Sequence, residues 1–272
     1  MVVCRFPDDW QASTTSILLS IITVNRNNAE GLARTLRSLD ALRFDSLLEF
    51  IGVDGLSTDA SLAIASAFYR PDLCLSEADA GVYDAMNKGL ALASGRYCYW
   101  LNSGDLFLPS CWPRLKALLL EFDEALLACG VIPFTPDGQD QAPRFADPAL
   151  LPHSSLNHQS LFFRTDVIRR LGCYRLRFGL TADRELVLRL LASGERIRYE
   201  PLLVARYELG GLSSHPQRLH RDHLRVSRAH GLISPWRYVW LLVRFWMWGG
   251  WRRLLALSRH RRSLGESLRA GS

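Results

Sequence analysis

From residue 18 to residue 101, short apolar runs alternate with segments of helical periodicity, and this rhythm leaves few architectures open. Leu18–Val24 is a continuous apolar, β-branched run, the pattern of a strand covered on both faces. Ala29–Leu39 puts Leu32, Leu36 and Leu39 on one side of a helix. Phe50–Val53 reads as a second strand ending at Asp54, and Thr58–Phe68 as a helix with Ser57 as its cap. Leu73–Leu75 as a strand, Val82–Ala93 as a helix closed by Gly95, and Tyr97–Leu101 as a strand complete the series. Strand and helix in alternation predict parallel βαβ units, an α/β fold with helices flanking the sheet. Open sheets of this kind bind ligands beyond the carboxyl ends of their strands, where Asp54 and Asp105 fall.

The pattern loosens after residue 105. Leu115–Phe122 reads as a helix, Pro133–Pro152 as a loop, Leu161–Phe163 as a strand and Leu186–Leu191 as part of a helix. The expected organisation is an extension over 1–16, an α/β domain over 17–214 and a helical tail over 215–272. Charge separates the last two. Residues 215–272 hold twelve Arg and no Lys against Asp222 and Glu266, a net +10, whereas the whole chain is +6. The tail therefore calls for an anionic partner, lipid headgroups or nucleic acid. Five of the eight tryptophans (Trp236, Trp240, Trp246, Trp248 and Trp251) lie among Arg237, Arg244, Arg252 and Arg253, a mixture suited to the headgroup boundary of a membrane. Arg244 divides the apolar stretch Tyr238–Trp251, which favours lying on a membrane over spanning it; a helix packed on the catalytic domain or on a second subunit is the alternative. The start of the chain has neither a basic n-region nor a cleavage site and reads as cytoplasmic. The six cysteines form no C-x-x-C pair and have no His cluster beside them, so a zinc or redox motif is not expected.

Three segments carry the chemistry. Val53-Asp54-Gly55-Leu56-Ser57-Thr58-Asp59 follows a strand and can accept hydrogen bonds from a base or ribose, although an ordinary capped βα turn would use the same residues. Ser76–Gly89 contains Glu77, Asp79 and Asp84 around Gly81, then Asn87 and Lys88 within about one helical turn, polar groups set between Met86 and Leu90. Leu101-Asn102-Ser103-Gly104-Asp105 closes the fourth strand with a carboxylate that can hold a divalent cation against a diphosphate, or simply a turn. Lys88 is one of two lysines in the chain, so solvation alone accounts poorly for it.

In this order and spacing the three segments resemble the nucleotide-binding half of the family 2 glycosyltransferases, and more narrowly the bacterial exopolysaccharide transferases of the colanic-acid type. Ser20-Ile21-Ile22-Thr23-Val24-Asn25 is similar to the opening strand of those enzymes, Asp54–Asp59 to their D-G-x-S-x-D turn, and Ser76–Gly89 to a signature ending in YDAMNKG. Leu101–Asp105 resembles their LNSGD element, Asn157–Phe163 their HQ strand, Thr181–Leu186 their acidic acceptor-side motif, and Gly210–Ser213 a late GG-S turn. The resemblance covers roughly residues 17–215. Leu56 stands where Gly is usual, Glu185 replaces a frequent Asp, and Gly104-Asp105 replaces a pair of acids.

The resemblance implies a GT-A fold, a Rossmann-like, mixed but mostly parallel sheet flanked by helices. It implies inverting transfer of a sugar from a nucleoside-diphosphate donor, a UDP-sugar, to a saccharide or lipid-linked saccharide in cell-surface polysaccharide synthesis. Asp183 is then the general base and Asp105 the ligand of Mg2+ or Mn2+. Thr23, Asn25, Asp54, Ser57, Asp79, Asn87, Lys88 and Asn102 would serve the nucleotide and donor, and His158, Gln159 and Glu185 the acceptor side. The tail would hold the enzyme on the inner face of the cell membrane, with no role for nucleic acid. Two other classes are weighed. A sugar-1-phosphate nucleotidyltransferase needs a Gly-rich phosphate loop near the start, and Thr23–Arg34 contains only Gly31. A nucleic-acid-binding module would use the basic tail but leaves the strand-end acids without a purpose.

Overall fold

A computed structural model of the chain describes residues 2–4, 17–68, 73–147, 149, 155–210 and 216–245. The segment 5–16, residues 148 and 150–152 of the expected loop, Gly211–Ser213 of the late turn, and Trp246, Trp248, Trp251, Arg252 and Arg253 of the tail lie outside the described residues. The chain divides into two compact units, Met1–Leu219 and His220–Ser272.

The first unit is one mixed sheet with helices. Its strands are β1 (Val2–Cys4), β2 (Leu19–Asn25), β3 (Leu48–Asp54), β4 (Leu73–Ser76), β5 (Tyr97–Trp100), β6 (Leu106–Phe107), β7 (Leu126–Phe134), β8 (Arg144–Phe145), β9 (Leu161–Arg164) and β10 (Ile197–Glu208). Their order is β1-β4-β3-β2-β5-β9-β7-β10-β6, with β8 paired to β7. The pairs β2–β3, β2–β5, β3–β4 and β7–β10 are parallel; β1, β6, β8 and β9 pair antiparallel to their neighbours. This is the GT-A type of α/β sheet expected, parallel over β4-β3-β2-β5, where apolar runs alternate with helices, and mixed beyond β5, where β9 runs antiparallel to both neighbours and β7 and β10 pair parallel.

All seven residues of β2 are buried, as its unbroken apolar run requires. Helix α1 (Ala29–Leu39) turns Leu32, Thr35 and Leu39 inward and is capped by Asn28, whose Oδ1 accepts the Gly31 N–H at 3.1 Å. Helix α2 (Ser61–Ala67) starts three residues later than expected: Ser57 spends its hydroxyl on Asp54, and Asp59 takes the Ser61 N–H at 3.0 Å. Helix α3 (Val82–Leu92) buries Ala85, Met86, Gly89 and Leu90. A Cβ on Gly89 would overlap Ile22 Cγ2, so the bare backbone brings α3 close to the sheet. Helix α4 (Trp112–Glu121) begins before the expected Leu115, and β7 and β8 run into the segment expected to be a loop. Helices α5 (Thr165–Leu171) and α6 (Ala182–Ala192) follow. Aromatics fill the centre: Tyr99 stacks on Phe162 at 4.5 Å, and Trp100, fully buried, meets Tyr174 edge-on at 5.0 Å.

Helix α7 (Pro216–Ala229) leads into the second unit, where residues 230–234 turn into helix α8 over 235–245. The ring of His220 stacks on Phe245 at 4.8 Å, which brings the two helices together. Among the described residues no helix is long and apolar enough to cross a membrane.

Candidate active site

The parallel register sets Asn25, Asp54 and Ser76 side by side at the carboxyl ends of β2, β3 and β4. Asp54 is buried there and accepts four hydrogen bonds. Asn25 Nδ2 (3.0 Å) and Ser57 Oγ (2.5 Å) donate to its Oδ1; the Ser57 N–H (2.8 Å) and Ser76 Oγ (3.1 Å) donate to its Oδ2. The carboxylate thus holds the turn shut. Asn27, at φ +49°, completes the lock, its N–H donating to Ser57 Oγ and its Oδ1 accepting from Thr58 N–H, both at 2.8 Å. Thr23 does not reach this edge. It lies inside β2 and lines a small apolar cavity with Leu32, Leu36, Phe50 and Phe68.

The acids of the 76–89 segment organise the segment itself. Asp79 accepts the Gly81 N–H at 2.8 Å and Asp84 the Ala80 N–H at 2.9 Å. Lys88 bonds the Ala78 carbonyl at 2.6 Å and pairs with Glu77 at 2.9 Å and Asp84 at 3.5 Å; the hydrogen bond to Glu77 and the charges of Asp84 and Glu77 raise its pKa. Asn87 spends its side-chain amide on the backbone of Tyr174: its Nδ2 donates to the Tyr174 carbonyl at 2.8 Å and its Oδ1 accepts the Tyr174 N–H at 2.9 Å.

After β5, Thr35 of α1 grips the next turn, its hydroxyl donating to the Asp105 carbonyl at 2.7 Å and accepting the Gly104 N–H at 2.9 Å. The Asp105 carboxylate is buried. It accepts Gln159 Nε2 at 2.9 Å on Oδ2 and the Glu208 N–H at 3.1 Å on Oδ1. Burial, reinforced by the negative charge of Glu208, pushes its pKa up to about 7 against those two hydrogen bonds. Glu208 is itself paired with Arg34 at 2.6 Å. Asn102 Nδ2 lies 3.0 Å from His158 Nε2, and burial drops that imidazole to about 4, so the ring is neutral near pH 7. Asn102 Oδ1 is buried without a hydrogen-bond partner.

This donor set suits one kind of cation. Among the described residues no three His, Cys, Asp or Glu side chains converge. Each Asp105 oxygen accepts one hydrogen bond and keeps a lone pair, and the same turn, closed by the Asp105 N–H on the Asn102 carbonyl at 2.9 Å, carries the orphaned Asn102 side-chain oxygen. An ion that brings its other ligands with it, phosphate oxygens and water, fits such a site; one needing an all-protein cage does not.

Asp183 sits in the first turn of α6, partly buried. Removal from solvent raises its pKa to about 6, against hydrogen bonds from the Arg184 N–H at 2.7 Å and the Tyr83 hydroxyl. The Tyr83 hydroxyl also lies 3.3 Å from the Leu180 carbonyl, and its ring packs on Tyr174 with centres 5.0 Å apart. Glu185 does not face the cleft. It is fully buried and bound by Arg189 at 2.8 Å and Arg175 at 3.3 Å, an internal ion pair that fixes α6 against the loop before it. Tyr174, Thr35, Arg34 and Glu208 carry no local sequence signal for their places here, and Tyr83 stands out only as part of its motif; the contacts that place them, Tyr83 with Tyr174 and Leu180, Thr35 with Gly104 and Arg34 with Glu208, span 69 to 174 residues.

Residues 20–176 match the family model described as Glycosyl transferase family 2. The PGL/p-HBAD biosynthesis glycosyltransferase of Mycobacterium bovis (strain BCG / Pasteur 1173P2) is 32% identical over 205 residues, covering 72% of this chain and 79% of that protein. Among solved structures, S. aureus TarS 1-349 in complex with UDP-GlcNAc superposes with a TM-score of 0.62 at 17% identity, over 84% of this chain and 71% of that one. Mannosyltransferase PcManGT from Pyrobaculum calidifontis, in complex with GDP-Man and Mn2+, gives 0.60 at 17% identity, over 86% and 68%. These two likenesses show the fold.

Proposed function

The chain belongs to glycosyl transferase family 2, and from that premise we propose that it moves a sugar from a UDP- or GDP-sugar to a lipid-linked saccharide at a membrane surface, in cell-surface polysaccharide synthesis. The observation that carries the reading is Asp183, a carboxyl raised to about 6 and hydrogen-bonded to Tyr83 of the YDAMNKG segment. A base of that pKa is ionised at neutral pH and still basic enough to take a proton.

In the inverting step, the acceptor hydroxyl oxygen forms a bond to the anomeric carbon from one face while the bond to the diphosphate oxygen breaks on the other. Asp183 accepts the hydroxyl proton, and the electron pair leaves with the nucleoside diphosphate. Asp105 and Asn102 would hold a divalent cation, Mg2+ or Mn2+, which supplies charge neutralisation to the leaving diphosphate. The Mn2+ in the mannosyltransferase structure supports this assignment. Asp54, Asn25 and Ser57 shape the nucleotide turn, and His158 and Gln159 tie the acceptor-side 3-10 turn over His158–Ser160 to the strand end at Asn102 and Asp105. The second unit would dock on anionic lipid.

Purified protein incubated with a panel of UDP- and GDP-sugars should release nucleoside diphosphate from one of them, faster with a saccharide acceptor. If no donor is turned over or bound, the reading is wrong.

A further inference from the structure

Leu56 sits at φ +56°, a left-handed backbone conformation that is strained for a branched side chain, and it is 54% exposed. Strain of this kind persists only where surrounding bonds over-determine it, and it clusters at ligand sites. Here the bonds are visible on each side. The Gly55 N–H donates to the Asn25 carbonyl at 2.8 Å, the Ser57 N–H to Asp54, and the Thr58 N–H to Asn27 Oδ1. Glycine would occupy the position without strain. A leucine held outward there exposes apolar surface that the fold has no use for.

The neighbours define where that surface lies. Asp54, with four internal hydrogen bonds, has its carboxylate committed to the turn. A Cβ on Gly55 would overlap Asp79 Oδ2 and stand 3.2 Å from Arg26 Cδ, so the bare glycine lets Asp79 and the stem of Arg26 close over the turn. Arg26 is exposed. Leu56, Arg26 and Asp79 therefore form a rim with one apolar and two charged members at the carboxyl end of the parallel strands.

We infer that Leu56 is a specificity-determining residue that packs against the flat face of the donor's nucleobase. Asp54 acts behind it as the positioning residue that keeps the leucine out. The inference rests on the nucleotide-sugar reading above, and it explains a bulky residue at a strained position without invoking packing.

The test measures binding of UDP, GDP and ribose 5-diphosphate, which has no base, to the full-length protein by calorimetry, with Leu56→Gly and Leu56→Asn as variants that tolerate the left-handed backbone. The tighter-binding nucleotide should lose about tenfold in affinity in both variants, the worth of one leucine face. Ribose 5-diphosphate should bind each variant as it binds wild type, and Leu56→Gly should melt no lower than wild type. Unchanged nucleotide affinity in Leu56→Gly overturns the role of Leu56 while leaving the glycosyltransferase reading intact. Equal losses for the nucleotide and ribose 5-diphosphate also overturn it, because the base is then not what the leucine touches. Wild type that binds neither UDP nor GDP removes both.

Discussion

The side-chain amide of Asn87 closes on the backbone of Tyr174 from both sides, donating to its carbonyl at 2.8 Å and accepting its N–H at 2.9 Å. Helix α3 carries the YDAMNKG segment, and Tyr174 begins the stretch that ends at Asp183. Two hydrogen bonds and the Tyr83–Tyr174 ring contact therefore join the donor-side motif to the proposed base.

Breaking that joint should cost stability first. Asn87→Ala leaves a backbone N–H and a carbonyl without partners, a loss of about 2–4 kcal/mol. Asn87→Asp keeps the acceptor for the Tyr174 N–H but sets a carboxylate oxygen against the Tyr174 carbonyl, so it should lose no less. Urea unfolding followed by tryptophan fluorescence gives the comparison. If Asn87→Ala unfolds with the wild-type midpoint, the bracket is not holding the loop.

The pH profile follows from Asp183. A base with a free-enzyme pKa of about 6 makes kcat/KM rise with pH and level off above about 7. Asp183→Asn should lose roughly 10²–10⁴ in kcat with nucleotide affinity nearly unchanged. Tyr83→Phe removes a hydrogen bond that lowers the Asp183 pKa, so its acid limb should move to higher pH. Stability changes in the other sense. A carboxyl whose folded pKa lies above its ordinary 3.8 binds its proton more tightly when folded, and wild type loses that contribution as pH rises from about 4 to about 6. Asp183→Asn cannot ionise, so its melting temperature should gain on wild type across that window.

Asp105 yields a prediction with a readout besides turnover. With UDP present, Mn2+ should raise the melting temperature of wild type, by mass action on the folded state. Asp105→Ala should fold, show no such Mn2+ shift, and lose activity by roughly two orders of magnitude or more. Chelator-treated wild type that keeps full activity would rule out the metal role.

These sites differ in how far they are legible in the chain alone. Strands β2 to β5 and helices α1 and α3 can be read because each strand is a closed apolar run and each helix has one apolar stripe. Strand β10 cannot, since Arg198, Glu200 and Arg206 interrupt it and it gains its place by pairing with β7 and β6. The polar residues separate in the same way. Asp54 and Asp105 announce themselves at strand ends, but what each carboxylate bonds is decided by residues far along the chain, Ser76 and Asn25 in one case, Gln159 and Glu208 in the other. Asn87 and Glu185 read as ligand contacts because they are polar residues inside matched motifs. Their partners, Tyr174, Arg175 and Arg189, are visible only once the chain is folded.

The last prediction concerns the second unit. On α8, Trp236 is 84% exposed and Trp240 56%, and Val239 and Val243 share the exposed stripe at helical spacing. Arg221, Arg225 and Arg228 of α7 are exposed as well. An apolar face with two indoles, next to arginines in a segment of net +10, matches an anionic bilayer surface, where each basic residue adds about 1 kcal/mol. Partial burial of the indoles adds to this and makes binding resist salt more than charge alone would allow. Full-length protein should sediment with phosphatidylglycerol vesicles at low salt and with neutral vesicles only weakly. The double variant Trp236→Ala/Trp240→Ala should bind the anionic vesicles weakly and lose that binding as salt rises, while it hydrolyses the sugar donor as wild type does. Transfer to a lipid-linked acceptor in vesicles should fall in parallel with sedimentation. If wild type stays in the supernatant and instead elutes as a dimer that Trp236→Ala/Trp240→Ala dissociates, the exposed stripe is an interface between copies of the chain and the membrane assignment is wrong.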